Sequence, residues 1–234
     1  MAPIVEVGYV VLAIFNMDKS KVIKVHYFNI CDFYDKSVDR LNARQIDLGL
    51  VKKYLSFIPW RFKRSESYVN DIDKLRCILS GILIYKSFGI EEKNILYNKY
   101  NKPYFNNPGW NFSISHSGDY VLFVRDSQKI GIDIEKICDK NMDILDYSFN
   151  DDEKKFIDDD IIKLTRLWTI KESVFKASGT EEPIEFRDIS IVDNAKVSIF
   201  NTKYNIISEK IDDYYISIAS IEKYNGMSFF KEVL

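Results

Sequence analysis

Cysteine and histidine are both scarce in this chain of 234 residues, which has three cysteines and two histidines. The cysteines, Cys31, Cys77 and Cys138, are odd in number, widely spaced and form no CxxC pair. A disulfide framework needs paired cysteines and a zinc site usually needs a Cys/His cluster, so the sequence favours neither. Its carboxylates and basic residues therefore become the main candidates for chemistry.

The chain also lacks a large excess of either charge. It has 33 Lys and Arg residues against 35 Asp and Glu residues, for a formal net charge of −2. General nucleic-acid binding depends on neutralising many phosphates, so this balance argues against a nucleic-acid partner. One local exception is the acid-free stretch between Asp47 and Glu66. It contains Lys52, Lys53, Arg61, Lys63 and Arg64.

The N-terminal apolar run, "MAPIVEVGYVVLAIF", is too short to span a bilayer. Glu6 interrupts it and no basic segment precedes it, which also argues against a signal peptide. We therefore read Glu6–Phe15 as a core strand of a cytoplasmic protein with no membrane partner.

The rest of the chain alternates between strand and helix patterns. We predict helices over 38–58, ended by Pro59, over 70–88, ended by Gly89, and over 161–178, ended by Gly179. "WNFSIS" and "YVLFVRD" read as a hairpin across the turn "HSGD". Further strands are predicted at 21–30, at 129–137 and in the phrases "ISIV", "KVSIF", "YNIIS" and "YYISIAS".

This order of elements suggests an internal repeat. Gly8 and Gly131 each lie in an apolar strand that opens one half of the chain. Each half then has a long amphipathic helix and a hairpin ending in "DYVLFV" or "DYYISI". We therefore predict an α+β fold of two similar α/β lobes, 1–128 and 129–234, with the active site in the cleft between them.

The stretch "GIDIEKI" places Asp133 and Glu135 one residue apart in a predicted strand. A strand directs such residues to one face, where like charges repel unless a cation lies between them. A solvated edge strand is the simpler interpretation of this stretch alone.

Trp168, Glu172 and Lys176 share one stripe of the third helix, since they are four residues apart. An exposed Glu–Lys pair would explain the last two, but the large aromatic favours a buried stripe. Asp133, Glu135 and Glu172 would then supply three oxygen ligands of the kind that Mg²⁺ prefers.

Two further phrases carry weaker signals. Ser115 and His116 are adjacent on a predicted strand and should point to opposite faces, which argues against a Ser–His nucleophilic pair. A single histidine at a hairpin is more often structural, although His116 could still present a donor to an anion. Lys102 precedes Pro103, so a rigid loop would present its charge.

Together, "GIDIE", "WTIKESVFK" and "FSISHSGD" resemble the signatures of the Sfp-type 4′-phosphopantetheinyl transferases. That family has a G-[IV]-D-[IV]-E strand, a W-x-x-K-E-x-x-x-K helix and a preceding S-H-S hairpin. The resemblance runs from about Trp60 to Gly179, roughly half of the chain. It implies two pseudo-twofold related α/β lobes, with coenzyme A in the cleft. The nucleotide would lie against 1–128, and Mg²⁺ and the pyrophosphate against 129–234.

Carried onto matching positions, the resemblance implies a role for each candidate site residue. Asp133, Glu135 and Glu172 would bind Mg²⁺, and Glu172, Lys176 and His116 would be catalytic. Lys176 would contact the pyrophosphate, and Ser115 and His116 would lie by the phosphates of coenzyme A. Lys102 would contact the nucleotide, Arg76 the adenine and its 3′-phosphate, and Arg61 and Arg64 the 3′-phosphate. Asn101 departs from the family, which usually has glycine before this lysine.

The implied reaction transfers the 4′-phosphopantetheine arm of coenzyme A to a serine of an acyl or peptidyl carrier protein. Adenosine 3′,5′-bisphosphate is the second product. The general base would be Glu172 or a metal-bound water. Two alternatives remain, a Mg²⁺-dependent nuclease and a non-catalytic module that binds carrier proteins. We expect a monomer, because two lobes in one chain already form the cleft.

Overall fold

The computed structural model describes residues 21–33, 48–99, 102–105, 109–138, 143–193, 196–199 and 201–234. Within these ranges the chain has a mixed α+β fold, as predicted. The predicted strand Glu6–Phe15, with Gly8, lies outside the described residues, as do Asn101 and the first part of the helix predicted over 38–58.

The described strands form two larger sheets and one two-stranded ribbon. In spatial order, the first sheet contains β11 (Gly226–Lys231), β1 (Val22–Asn29), β5 (Tyr120–Asp126) and β4 (Asn111–Ser117). The second contains β6 (Ile130–Lys136), β10 (Tyr214–Ser220), β9 (Thr202–Ile211), β8 (Lys196–Ile199) and β7 (Ser190–Asp193). The ribbon pairs β2 (Ile95–Tyr97) with β3 (Pro103–Phe105). β4 and β6 are thus edge strands of different sheets.

The helices lie between these strands in the chain. The α-helices are α1 (Pro59–Ser65), α2 (Asp71–Phe88), α3 (Leu145–Ser148), α4 (Asp151–Ile157) and α5 (Ile161–Ser178). Short 3₁₀ segments cover Ile30–Phe33, Leu48–Phe57, Glu92–Asn94 and Phe186–Asp188. Within the described residues, no helix is both long enough and apolar enough to cross a membrane.

Both long helices begin and end where the sequence predicts. The side chain of Asn70 accepts a hydrogen bond from the Ile72 amide at the start of α2, and Asp160 caps α5 in the same way. Gly89 and Gly179 end these helices in the left-handed conformation, with φ of 64° and 61°. The predicted hairpin is also confirmed, since β4 and β5 pair antiparallel across the turn at Gly118.

The described residues form three hydrophobic core clusters. α2 buries its apolar face against the first sheet, with Leu79 and Phe123 both inaccessible to solvent. α5 covers the second sheet, where Ile170 and Ala219 are equally buried. A third cluster combines side chains of both sheets. It includes Val25, Leu122, Val124, Ile132, Ile134, Ile216, Ile218 and Met227.

Three features differ from the sequence prediction. Pro59 does not end a helix but occupies the first turn of α1, where the missing amide hydrogen of proline costs nothing. The segment before it, Leu48–Phe57, is 3₁₀-helical rather than α-helical. The sequence analysis also missed β11, which pairs in parallel with β1. The division into 1–128 and 129–234 stays a prediction.

Candidate active site

A cavity of about 500 Å³ opens between the edge strands β4 and β6 and the helices α1, α2 and α5. All but one of the predicted site residues line it. These are Arg61, Arg64, Lys102, Ser115, His116, Asp133, Glu135, Glu172 and Lys176. Arg76 is the exception. The cavity therefore brings together predicted site residues that are up to 115 positions apart in the sequence, from Arg61 to Lys176.

Gly131 explains why β6 and α5 can present their charged residues to each other. A Cβ atom at this position would lie 2.0 Å from the carbonyl oxygen of Ser173 and 2.5 Å from the amide nitrogen of Ala177. Only glycine permits this close approach of strand and helix backbones. Two residues further along β6, Asp133 consequently lies beside Lys176 of α5.

Lys176 supplies the positive charge among the carboxylates. Its Nζ lies 2.5 Å from Asp133 Oδ1 and 3.9 Å from Glu172 Oε2, and it donates to Ser115 Oγ at 3.1 Å. Burial lowers the pKa of Lys176, but the charges of Asp133 and Glu172 outweigh it and hold the pKa above its usual value. Lys176 is therefore charged at neutral pH.

The carboxylates have more negative charge than Lys176 balances. Burial, followed by the charge of Asp133, raises the pKa of Glu135 to about 7. Burial also raises the pKa of Glu172 to about 7, against the opposing effect of Lys176. Asp133 is 2% exposed, and its Oδ2 is buried without a hydrogen-bond partner in the described part of the chain. A buried oxygen without a donor and two further acidic side chains fit a bound cation.

No set of three metal-ligating side chains is already arranged around a common centre among the described residues. Asp133, Glu135 and Glu172 line one cavity, but Lys176 lies between two of them. A divalent cation at this position would therefore compete with Lys176 for the charge of Asp133.

Ser115 and His116 both line the cavity, although the sequence analysis expected adjacent strand residues to face apart. Ser115 is buried and donates a hydrogen bond to Asp133 Oδ1 at 2.6 Å. His116 is exposed to the cavity. Desolvation by the surrounding walls, followed by the charges of Arg76 and Lys176, lowers the pKa of His116 to about 4. His116 is thus uncharged at neutral pH and can act as a hydrogen-bond donor.

The acid-free basic stretch contributes Arg61 and Arg64 to the cavity wall through α1. Glu92, which is 3% exposed, holds Arg61 in place. Glu92 Oε2 accepts a hydrogen bond from the Arg61 backbone N–H at 2.9 Å, and Glu92 Oε1 lies 3.4 Å from Arg61 Nε. Trp60 lies against both guanidinium groups, with Arg64 5.1 Å and Arg61 5.9 Å from its ring centroid. This support presents two cations at one end of the cavity.

The two remaining predicted cations already have protein partners. Arg76 pairs with Asp73 at 2.7 Å and donates to the carbonyl oxygen of Gly118, so it holds the β4–β5 turn. Lys102 donates to the carbonyl oxygen of Lys176 near the end of α5. Burial, helped by the charges of Lys129 and Lys176, lowers the pKa of Lys102 to about 8.

Sequence reasoning missed several residues that shape the site. Tyr68, Asn98, Phe112, Phe175 and Thr180 also line the cavity, and the sequence analysis assigned a role to none of them. Ser117 donates a hydrogen bond to Glu135 Oε2 at 2.9 Å. The alternation of serine in "FSISHS" was the available signal for Ser117, because residues two apart on a strand share a face.

Comparisons with known proteins agree with this arrangement. Residues 129–219 match the model of the 4′-phosphopantetheinyl transferase superfamily, and this segment contains Asp133, Glu135, Glu172 and Lys176. The chain is 36% identical over 123 residues to 4′-phosphopantetheinyl transferase gsp of Aneurinibacillus migulanus, covering 48% of this chain and 52% of that protein.

Two Bacillus subtilis proteins are also similar. A 4′-phosphopantetheinyl transferase is 32% identical over 141 residues, covering 54% of this chain and 63% of that protein. The 4′-phosphopantetheinyl transferase Sfp of strain 168 is 29% identical over 163 residues, covering 63% and 73%. The chain thus spans between about half and three quarters of the length of these curated relatives. The resemblance predicted from the motifs is confirmed, since residues 129–219 match the model of the 4′-phosphopantetheinyl transferase superfamily.

Proposed function

We propose that this protein transfers the 4′-phosphopantetheine arm of coenzyme A to a serine hydroxyl of an acyl or peptidyl carrier protein. One observation carries the proposal. Asp133, Glu135, Glu172 and Lys176 meet in one cavity, within the segment that matches the transferase superfamily. The names of three similar proteins, all 4′-phosphopantetheinyl transferases, support the same activity.

In the proposed complex Asp133, Glu135 and Glu172 hold Mg²⁺. When bound, the metal neutralises charge on the pyrophosphate of coenzyme A. The unpartnered Oδ2 of Asp133 supports this assignment, because a buried carboxylate oxygen needs a donor or a cation. Lys176 would then leave Asp133 and pair with the pyrophosphate, whose oxygen atoms are also negatively charged acceptors.

The chain's own residues provide the proton path and the orientation of the nucleotide. The carrier serine Oγ attacks the pantetheine-bearing phosphorus, a new O–P bond forms, and the bond to the adenosine bisphosphate breaks. Glu172 takes the serine proton in our proposal, since its carboxylate lines the cavity beside Lys176. His116, neutral at pH 7, donates a hydrogen bond to a phosphate oxygen.

We assign the nucleotide to the opposite end of the cavity. Arg61 and Arg64 would bind the 3′-phosphate, because among the described residues their guanidinium groups line that wall. Lys102 would reach the nucleotide with its remaining N–H groups. Arg76 would contribute through its charge and through the Gly118 turn, since it is already bound to that carbonyl.

We also propose that the fold consists of two lobes, 1–128 and 129–234, related by a pseudo-twofold axis. In support, each larger sheet is covered by an 18-residue helix that ends at a left-handed glycine. We further propose that the protein is cytoplasmic and acts as a monomer. Sedimentation of the purified chain as a stable trimer would contradict the monomeric state.

The test is to incubate the purified protein with coenzyme A, Mg²⁺ and a panel of apo-carrier proteins, followed by intact-mass measurement. We expect at least one carrier to gain the mass of one phosphopantetheine arm, and omission of Mg²⁺ to prevent the gain. Cleavage of a nucleic acid in a parallel incubation, without carrier modification, would favour the nuclease. Carrier binding without a mass gain would favour the non-catalytic module.

A further inference from the structure

The edge strands β4 and β6 belong to different sheets, and backbone N–H groups of β6 donate hydrogen bonds to side chains of β4 in the described structure. Ser113, Ser115 and Ser117 occupy alternate positions of β4, so their hydroxyls face the same side. We call these three residues the serine row. Each Oγ accepts a hydrogen bond from one backbone N–H of β6. The donors to Ser113, Ser115 and Ser117 are Ile132 at 3.1 Å, Ile134 at 3.3 Å and Lys136 at 3.0 Å, respectively.

These backbone bonds determine the role of each serine oxygen. A backbone N–H can only donate, so the serine oxygen accepts there and its own proton remains free to donate elsewhere. Ser115 donates to Asp133 Oδ1 at 2.6 Å, and Ser117 donates to Glu135 Oε2 at 2.9 Å. Each of these serines donates to the side chain 18 positions later. For Ser113 that position is Gly131, which has no side chain.

We propose that Ser117 is a positioning residue for Glu135, orienting one carboxylate oxygen so that the other faces the metal position. Ser117 does not itself line the cavity, so it can act on bound groups only through Glu135. Ser115 holds Asp133 in the same way, but it also contacts Lys176, which makes Ser117 the cleaner case. This inference rests on the proposed assignment of Glu135 as a metal ligand.

Trp168 also favours the charged form of Glu135, so loss of Ser117 removes only part of the support of this carboxylate. The expected effect on metal binding is therefore a partial loss. Groups that hydrogen-bond to metal ligands typically change metal affinity by about 10- to 100-fold when removed. Ser117 should lie near the lower end of that range.

Ser113 provides a control for the backbone bond, because it makes the same bond and has no carboxylate to position, although it also lines the cavity. The experiment compares Ser117→Ala with Ser113→Ala, measuring Mn²⁺ binding by the loss of the free-ion electron paramagnetic resonance signal, with and without coenzyme A. Both variants should lower the melting temperature by a similar amount. Only Ser117→Ala should weaken Mn²⁺ binding, by about 10-fold. Ser117→Thr, which keeps the hydroxyl, should restore it.

Wild-type Mn²⁺ affinity in Ser117→Ala would overturn the inference. An equal loss of affinity in Ser113→Ala would also overturn it, since the serine row would then only join the two strands. If Ser117→Ala does not fold, Ser117→Cys, which has a similar shape and a weak donor, serves in its place with the same criteria. If Ser117→Ala weakens Mn²⁺ binding as expected and Ser113→Ala does not, but the wild-type protein modifies no carrier, the result would count against the proposed function alone.

Discussion

Lys176 lies where a divalent cation would balance Asp133 and Glu172, and it acts as their counter-ion in the protein alone. A unit charge about 4 Å from a site contributes on the order of 4 kcal/mol at an effective dielectric constant of ~20. A metal ion approaching Asp133 must therefore compete with Lys176. Coenzyme A would relieve this competition, because its pyrophosphate offers Lys176 another partner.

The variant Lys176→Met tests this competition. Without coenzyme A, we expect it to bind Mn²⁺ roughly 10-fold more tightly than the wild type, because the competing charge is gone. Transfer activity should nevertheless fall, since the pyrophosphate loses its lysine. Lys129→Met is the control, because Lys129 precedes β6 and donates to the Ser178 carbonyl oxygen at the end of α5. Equal or weaker Mn²⁺ binding by Lys176→Met would contradict the competition.

Lys102 allows a prediction about pH. Its pKa is lowered to about 8, so close to pH 8 a substantial fraction is uncharged in the free protein. A bound phosphate favours the charged form and raises the pKa. Coenzyme A binding near pH 8 should therefore take up protons, and affinity should fall as the pH rises above about 8.

Calorimetry in two buffers of different ionisation enthalpy measures this proton uptake. The variant Lys102→Met should bind coenzyme A more weakly and lose the uptake contributed by this residue. Uptake that is the same in the variant and in the wild type would show that another group is responsible.

Among the site residues, sequence motifs predicted those whose position follows from strand or helix spacing. Asp133 and Glu135 share a strand face, and Glu172 and Lys176 share a helix stripe, so each pair could be predicted from its own segment. The engagement of Arg76 with the Gly118 carbonyl could not, because it depends on contacts 42 positions apart in the sequence. Long basic side chains can reach several partners, and only the folded arrangement decides which.

At the scale of elements, the crossing of β6 and α5 sets the geometry of the site. Gly131 permits the crossing, and its replacement with alanine would place a methyl group 2.0 Å from the Ser173 carbonyl oxygen. The helix must then shift away from the strand that carries Asp133.

Gly131→Ala should therefore reduce the free energy of unfolding by about 1–3 kcal/mol, as overpacking of a buried contact does, and should also weaken Mn²⁺ binding. Denaturant unfolding measures the first effect. The matched control is Gly226→Ala in β11, where an added Cβ meets no atom within 4 Å. This control should change stability by less than about 1 kcal/mol. Equal stability of the two variants would rule out the close approach at Gly131.

Elements with local signals were predicted well, and those that depend on distant partners were not. The caps at Asn70 and Gly89 lie next to the helix they delimit, so the sequence contains the information. The strand β11 pairs with β1, about 200 residues earlier, and nothing in "GMSFFK" identifies that partner. Pro59 was misassigned because proline suits both the position after a helix and its first turn.

At the scale of the whole molecule, the third core cluster joins the two larger sheets. Val25 and Leu122 of the first sheet pack with Ile132 and Ile218 of the second, and all four are almost fully buried. Burying such a side chain contributes about 1.5–3 kcal/mol, so separating the sheets would cost several of these contributions.

We therefore expect the two halves of the chain to unfold together. Circular dichroism and tryptophan fluorescence should report one coincident transition, since Trp60 and Trp110 lie in the first half and Trp168 in the second. Two separate transitions, or an isolated fragment 1–128 that folds with native-like stability, would contradict this expectation.

The central claim is that the carboxylate site performs phosphopantetheine transfer, and Glu172→Gln tests it most directly. Glutamine keeps the shape of the side chain but removes its charge and its ability to accept a proton. The measurement is the rate at which an apo-carrier gains the phosphopantetheine mass, with a thermal melt and a coenzyme A titration as controls. We predict that the variant folds, binds coenzyme A and transfers roughly 100-fold more slowly or worse. Transfer at the wild-type rate would contradict the account.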